Sequence, residues 1–309
     1  MWQRYDSHQI DKKRWDDCIE AACNSQVYGC SWYLDVVCPQ WRAWVWEEDG
    51  EYQKVLPLTT GRKWGIPYLY QPYFTQQLGV FSRQPITATE VNSVLREATR
   101  PYWRVNYTVN TCNPPLDWPR AVWRTLPTYR LSLDQPYETL RAKYRKGHRS
   151  GVKQAARAGL SIQARPDAWQ HMLYWFQHEK ASVLQPRHYD TLRALYQQLC
   201  AQGCADLRAV YTPQGDFQAG ALWVVYRHSV IYLFGVSSPA GRNNGSMTFL
   251  LDDCLRRYAG AGQPGRYFDF EGSQLPGIAR FFRGFGAEEV PYFHLHIDRL
   301  AGVKNILGG

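Results

Sequence analysis

The chain has 309 residues, 45% of them hydrophobic and 20% charged, and Lys and Arg exceed Asp and Glu by 36 to 27 for a net charge of +9. That length is too great for one typical domain and fits two, while the apolar fraction excludes a disordered chain and the charge points to an anionic partner. Eight cysteines without a C-x-x-C pair or a Cys/His cluster exclude a zinc site by spacing. With no apolar leader and no run approaching the ~18 apolar residues of a membrane span, the composition predicts a cytoplasmic protein with reduced thiols and no transmembrane segment.

In chain order, Asp11 to Ala22 reads as a helix capped by Asp11, and Trp41–Glu48, the turn Asp49-Gly50 and Tyr52–Thr60 as a β-hairpin. A loop at Gly61–Gly65, a strand at Ile66–Tyr70, the segment Gln71–Phe81, a helix at Ala88–Thr99 and a strand at Trp103–Val109 follow. Pro114, Pro115, Pro119 and Pro127 mark a connection. The domain boundary is placed there: 1–128 is the first domain and 129–295 the second, with the tail 296–309 assigned to the first. Ten of the 13 tryptophans precede residue 124, so the halves differ in core or surface, and such clustered aromatics read first as packing.

The second half opens with a basic helix ended by Gly159, then helices at Ala168–Leu184 and His188–Ala201. Three antiparallel strands follow, Ala205–Tyr211, Phe217–Tyr226 and Ser229–Gly235, then a loop at Val236–Gly245 and a helix at Ser246–Tyr258. A strand at Tyr267–Phe270, a helix at Pro276–Phe285 and a strand at Glu289–Leu295 complete it. Each half repeats hairpin, strand, loop, helix, strand without detectable identity, as expected of a duplicated and diverged domain.

Two features carry chemistry. From Arg141 to Arg165 there are eight Lys/Arg and no acid, and Arg145, Arg149, Lys153 and Arg157 recur every four residues on one helical face. Such a ridge is either a solvated face or a contact for the phosphates of a nucleotide, tRNA or lipid-linked substrate. In Phe268-Asp269-Phe270-Glu271-Gly272, the carboxylates share one strand face and the phenylalanines the other, at a strand end that leads into a helix, where open α/β folds place their sites. Asp269 and Glu271 are candidate bases. They could equally cap the following helix, with Ser273, or pair with Arg280 or Arg283. None of the eight histidines falls in a triad-like or metal-like group.

This order of elements resembles the GNAT acyltransferase fold, an α/β (α+β) class with mixed sheets, here as two tandem GNAT-like domains. The family's R/Q-x-x-G-x-G/A turn, which presents backbone N–H groups to the cofactor pyrophosphate, is similar to Arg242-Asn243-Asn244-Gly245-Ser246-Met247, with Met247 where a small residue is usual. The same stretch also reads as a helix N-cap by Asn243 or Asn244. Three segments resemble the Fem family of peptidoglycan aminoacyltransferases and related acetyltransferase-like proteins: Gln71-Pro72-Tyr73-Phe74 with Gln77–Phe81, Tyr144–Ala155, and Asp269–Gly272 with Ile278–Gly286.

The resemblance implies transfer of an acyl group from acyl-CoA to an amine, without a metal. In that assignment Arg242, Asn243, Asn244, Gly245 and Ser246 hold the acyl-CoA, and Glu271, with Asp269 second, takes the proton. Tyr70, Gln71 and Tyr73 bind the acceptor, and Arg145, Arg149 and Lys153 meet anionic groups of acceptor or carrier. A Fem-like alternative uses aminoacyl-tRNA on a cell-wall precursor, although Ala168–Ala201 is too short for the long helical arm of tRNA-reading members. A third alternative is a binding protein whose GNAT folds have lost catalysis, since Phe281, Phe282 and Phe285 stand where many GNAT enzymes have a catalytic tyrosine.

Overall fold

A computed structural model describes residues 1–179, 184–260, 262, 264–272 and 274–300. The chain separates into two units, Met1–Leu126 together with the segment from Pro291 onward, and Pro127–Val290.

The first unit begins with an edge strand, β1 (Trp2–Asp6), which pairs antiparallel with β2 (Arg42–Glu48). Its mixed W-Q-R-Y-D sequence carries little strand signal, which is why the pattern did not predict it. Between them lie α1 (Lys12–Ala21), where Asp11 accepts the Arg14 N–H at 3.0 Å, and α2 (Ser31–Val37). The β2–β3 (Glu51–Leu58) hairpin turns at Asp49 and Gly50, both at positive φ as a tight primed turn requires. Buried Trp15 and Trp41 pack with ring centroids 4.8 Å apart, their indole N–H groups donating to Gly29 O (2.8 Å) and Asp35 Oδ1 (3.0 Å).

The predicted loop at Gly61–Gly65 is instead β4 (Thr60–Lys63) and a two-residue turn into β5 (Ile66–Leu69). Trp64 and Gly65 both take positive φ, and a tryptophan that is 89% exposed at such a turn hides the usual Asn-Gly signal. After β6 (Phe81–Ser82), which pairs antiparallel with β3, come α3 (Ala88–Thr99) and β7 (Arg104–Val109). β5 and β7 are parallel. β7 also pairs antiparallel with β14 (Glu288–Asp298), the last strand among the described residues, over Phe293–Asp298.

In the second unit, β8 (Val122–Ser132) occupies part of the proline-marked connection and continues into α4 (Tyr137–Ala142) and α5 (Lys146–Arg157). Gly159 closes α5 at positive φ, and β9 (Ser161–Gln163), α6 (Ala168–Glu179) and α7 (Pro186–Ala201) follow. The rest of the α6 expectation, 180–183, lies outside the described residues. β10 (Ala205–Tyr211), β11 (Phe217–Tyr226) and β12 (Ser229–Ser237) form the antiparallel meander. A short α8 (Pro239–Asn243), missed in the predicted loop, precedes α9 (Ser246–Tyr258), β13 (Tyr267–Asp269) and α10 (Pro276–Arg283).

Strand order in this unit is β8-β13-β12-β11-β10-β9. Alternation along the strands sends Val230, Trp223 and Phe268 into a core with Leu250, Leu251, Phe282 and Phe285 from α9 and α10, while Phe234 packs on Trp169 and Phe176 of α6. Among the described residues no helix is long and apolar enough to cross a membrane, and no His, Cys, Asp and Glu group could hold a metal ion.

Candidate active site

β12 and β13 are parallel, and their pairing ends at Ile231 and Asp269. β12 continues to Ser237, so beyond Ile231 the two strands part, and among the described residues the facing backbone edge of β12 has no strand partner. The cause lies in β13, whose end is bound to β8. Asp269 is 4% exposed and accepts from Thr128 Oγ1 (2.5 Å), Arg130 Nε (2.8 Å) and the Glu271 N–H (2.9 Å). Glu271 and Gly272 then both adopt positive φ, and a Cβ on Gly272 would lie 2.1 Å from Pro127 O. Only glycine allows that approach, so the chain bends toward β8 and leaves a cleft beside β12.

Of the two predicted carboxylates, Asp269 is thus engaged by β8, with Arg130 as its ion-pair partner rather than Arg280 or Arg283. Glu271 stands partly buried at the cleft end, turned by its left-handed backbone. Ser273 lies outside the described residues. Phe282 and Phe285 are core side chains stacked on Phe270, at centroid distances of 4.8 and 5.7 Å.

The predicted phosphate turn sits at the first turn of α9. Arg242 pairs with Glu179 Oε2 at 2.6 Å, and exposed Asn243 closes α8. Asn244 Oδ1 accepts the Ser246 N–H (3.2 Å) while its amide donates to Gln218 Oε1 (2.8 Å), so it acts as a cap over the buried Ser246. Gly245 is left-handed, and a Cβ there would lie 2.7 Å from Gly151 O of α5. Among the described residues the N–H groups of Met247 and Thr248 have no acceptor, which leaves two first-turn donors at the positive end of α9.

The basic helix and this turn are therefore neighbours. α5 packs its middle on α9 through Gly151, and its N-terminal end on the end of α10, where the N–H of the N-cap Arg145 donates to Gly284 O (2.9 Å). Arg145, Arg149, Lys153 and Arg157 are exposed, and among the described residues none has a carboxylate within ion-pair distance. Arg149 folds back onto the Tyr144 carbonyl. On the inner side, His148 Nε2 bonds Phe281 O (2.8 Å), and its ring lies against Phe285 and the Cα of Gly284. Burial, and secondarily Arg145, pushes His148 below the ordinary imidazole range.

One cleft residue escaped the sequence reading. A β-bulge makes Leu233 the extra residue between the pairs Leu222–Phe234 and Trp223–Tyr232, so Tyr232 and Gly235 share a face. A Cβ on Gly235 would lie 1.9 Å from the Tyr232 hydroxyl, so glycine makes room for that ring. The hydroxyl approaches Met247 Sδ at 3.4 Å and the ring meets Phe282 edge-on. Burial raises the phenol's pKa well above its usual value, so it stays protonated at neutral pH. A tyrosine within an apolar strand reads only as a strand former, which gave no signal of a site.

Tyr70, Gln71 and Tyr73 stand together in the first unit. Both ends of the Gln71 amide are used, donating to Thr75 O (2.7 Å) and accepting the Thr108 N–H (3.0 Å). Tyr73 is half exposed and packs on Phe74, which has positive φ. Leu78 N–H donates to Thr108 O (2.9 Å) and Asn110 N–H to Leu78 O (3.0 Å), so this segment lines the end of β7.

Residues 142–283 match the family model of the acetyltransferase (GNAT) domain. No curated protein matches the sequence significantly. Among solved structures, FemX aligns with a TM-score of 0.67 at 12% identity, covering 99% of this chain and 100% of that one. L-PGS from Bacillus licheniformis aligns at 0.56 and 12%, covering 94% and 92%. A tandem GNAT protein from the clavulanic acid biosynthesis pathway aligns at 0.51 and 13%, covering 96% and 98%. At these identities the likeness establishes the fold.

Proposed function

We propose that this chain, which carries the GNAT acyltransferase fold in tandem, transfers an acyl group to an amine in the cleft between β12 and β13. The observation that supports it is the parting of those strands beside a protonated phenol, with the free first-turn donors of α9 close by. The donor, read here as acyl-CoA, supplies an acyl group on a sulfur leaving atom.

Met247 and Thr248 N–H groups, helped by the cationic face of α5, hold the donor's phosphates; Arg242 is held by Glu179 and contributes less. Unpaired N–H groups on the open edge of β12 polarise the carbonyl. As the amine attacks, the C–N bond forms, Glu271 takes the amine proton, the C–S bond breaks and Tyr232 returns a proton to sulfur. Asp269 holds the β13 end in place and does not exchange protons in this scheme.

Calorimetry with acetyl-CoA and longer acyl-CoAs tests the donor. Saturable binding that survives Tyr232→Phe, with turnover reduced by about 10²–10⁴-fold, is the expected result. Absence of binding to every acyl-CoA would remove that donor and favour the second reading, aminoacyl transfer from tRNA. The unpaired ridge on α5 supports that second reading. It predicts tRNA binding with steep salt dependence, lost when Arg145, Arg149 and Lys153 are changed together.

A further inference from the structure

A groove of about 960 Å³ runs along α3 in the first unit. Arg96 and Arg100, in the last turn of α3 and at its cap, form one wall, Arg120 and Trp118 the other, and Arg299 lies after β14. Among the described residues none of these four guanidinium groups has a carboxylate within ion-pair distance, and the lining carboxylates are Glu97 and Asp117. Four cations against two anions leave two positive charges facing a concave surface.

The wall is built rather than loose. Asn92 on α3 donates to Pro114 O (2.9 Å) and accepts the Leu116 N–H (3.0 Å), pinning the 114–116 segment to the helix. Trp118 stacks on Trp123, whose indole N–H donates to Leu116 O at 3.1 Å. Arg120 holds a left-handed φ of 70°, a conformation that is costly for a long side chain. The Arg299 head is fixed by the Thr99 and Tyr102 carbonyls, and burial and Arg120 push its pKa down. Like charges gathered on a fixed wall repel one another unless an anion lies between them.

We propose that this groove binds a small molecule carrying a diphosphate. Guanidinium forks match phosphate oxygens in pairs, and the excess of two charges calls for a ligand with more than one negative charge, which a lone carboxylate does not supply. The site is independent of the transfer chemistry assigned to the second unit. The diphosphate can be free or part of a nucleotide.

The test is calorimetry on the full chain at low salt with inorganic pyrophosphate, with ADP, and with acetate as the single-charge control. The expected result is saturable pyrophosphate binding that weakens with salt, no measurable acetate binding, and at least about a tenfold loss of pyrophosphate affinity in the double variant Arg96→Gln/Arg100→Gln. Both positions are solvent-exposed, so an unchanged melting temperature should accompany the loss. ADP bound more tightly than pyrophosphate assigns a nucleotide, and equal or weaker ADP binding assigns the bare diphosphate; either supports the site. No saturable binding by the wild type overturns the proposal. So does affinity within twofold of wild type in the double variant while Arg145→Gln/Lys153→Gln abolishes it, which would move the anion to α5.

Discussion

Each unit contains a parallel strand pair, β5 with β7 and β12 with β13, and the two pairs end differently. In the first unit the chain leaves β5 and returns along β7. Gln71, Leu78 and Asn110 meet the backbone there, while Asn24, Gln77 and Asn113 bond the returning segment from behind. In the second unit β13 is drawn to β8 by Asp269 and Gly272, and the edge of β12 stays open. One topology therefore yields a sealed end or a cleft, according to which neighbour the polar side chains after the parallel pair are bonded to. The cleft, the GNAT domain match and the cationic helix all belong to the second unit.

The sharpest way to break this contrast is Asp269→Ala. It leaves the partly buried Arg130 without this carboxylate and takes the acceptor from Thr128 and the Glu271 N–H, and urea unfolding should show a loss of about 3–5 kcal/mol. A loss under ~1 kcal/mol would mean that β13 is held to β8 by something else. Asn110→Leu in the first unit removes bonds to Leu78 O, Asn24 and the Cys112 N–H and should cost about 1–3 kcal/mol. It should leave donor binding unchanged; weakened donor binding would show that the sealed end serves the cleft.

The smallest effect concerns His148. Its folded pKa lies below the unfolded value, so the unfolded chain binds the proton first and the folded chain is favoured by neutrality. That contribution is complete above ~6.5 and is lost as pH falls through the lowered folded value. Urea midpoints at pH 7.5 and 5.5 should differ less in His148→Gln than in the wild type, and an unchanged difference would exclude His148 as a source of the slope.

Local signals carried much of this architecture. α3 spans the predicted Ala88–Thr99, opened by a Thr87–Glu90 capping box, and α9 starts at Ser246 after the left-handed Gly245. Signals that depended on distant partners were not legible. Asp269 meets Arg130 across 139 residues, from a strand inside a stretch whose prolines read as a connection. The bulge at Leu233 lies in a run apolar on both faces, where period-two alternation gives no register. Tyr232 could be recognised only once that bulge had turned it and Gly235 to the same side.

The pairing of β14 with β7 has a consequence for synthesis. His296 Nδ1 meets Asn106 Oδ1 at 2.8 Å across 190 residues, so the unit whose strands leave the ribosome first lacks β14 until the second unit has been made. The second unit, contiguous from Pro127 to Val290, has all its strands in hand sooner. The order in which the two units finish is therefore the reverse of the order in which they begin, and during elongation the exposed edge of β7 awaits a partner that has not yet been made.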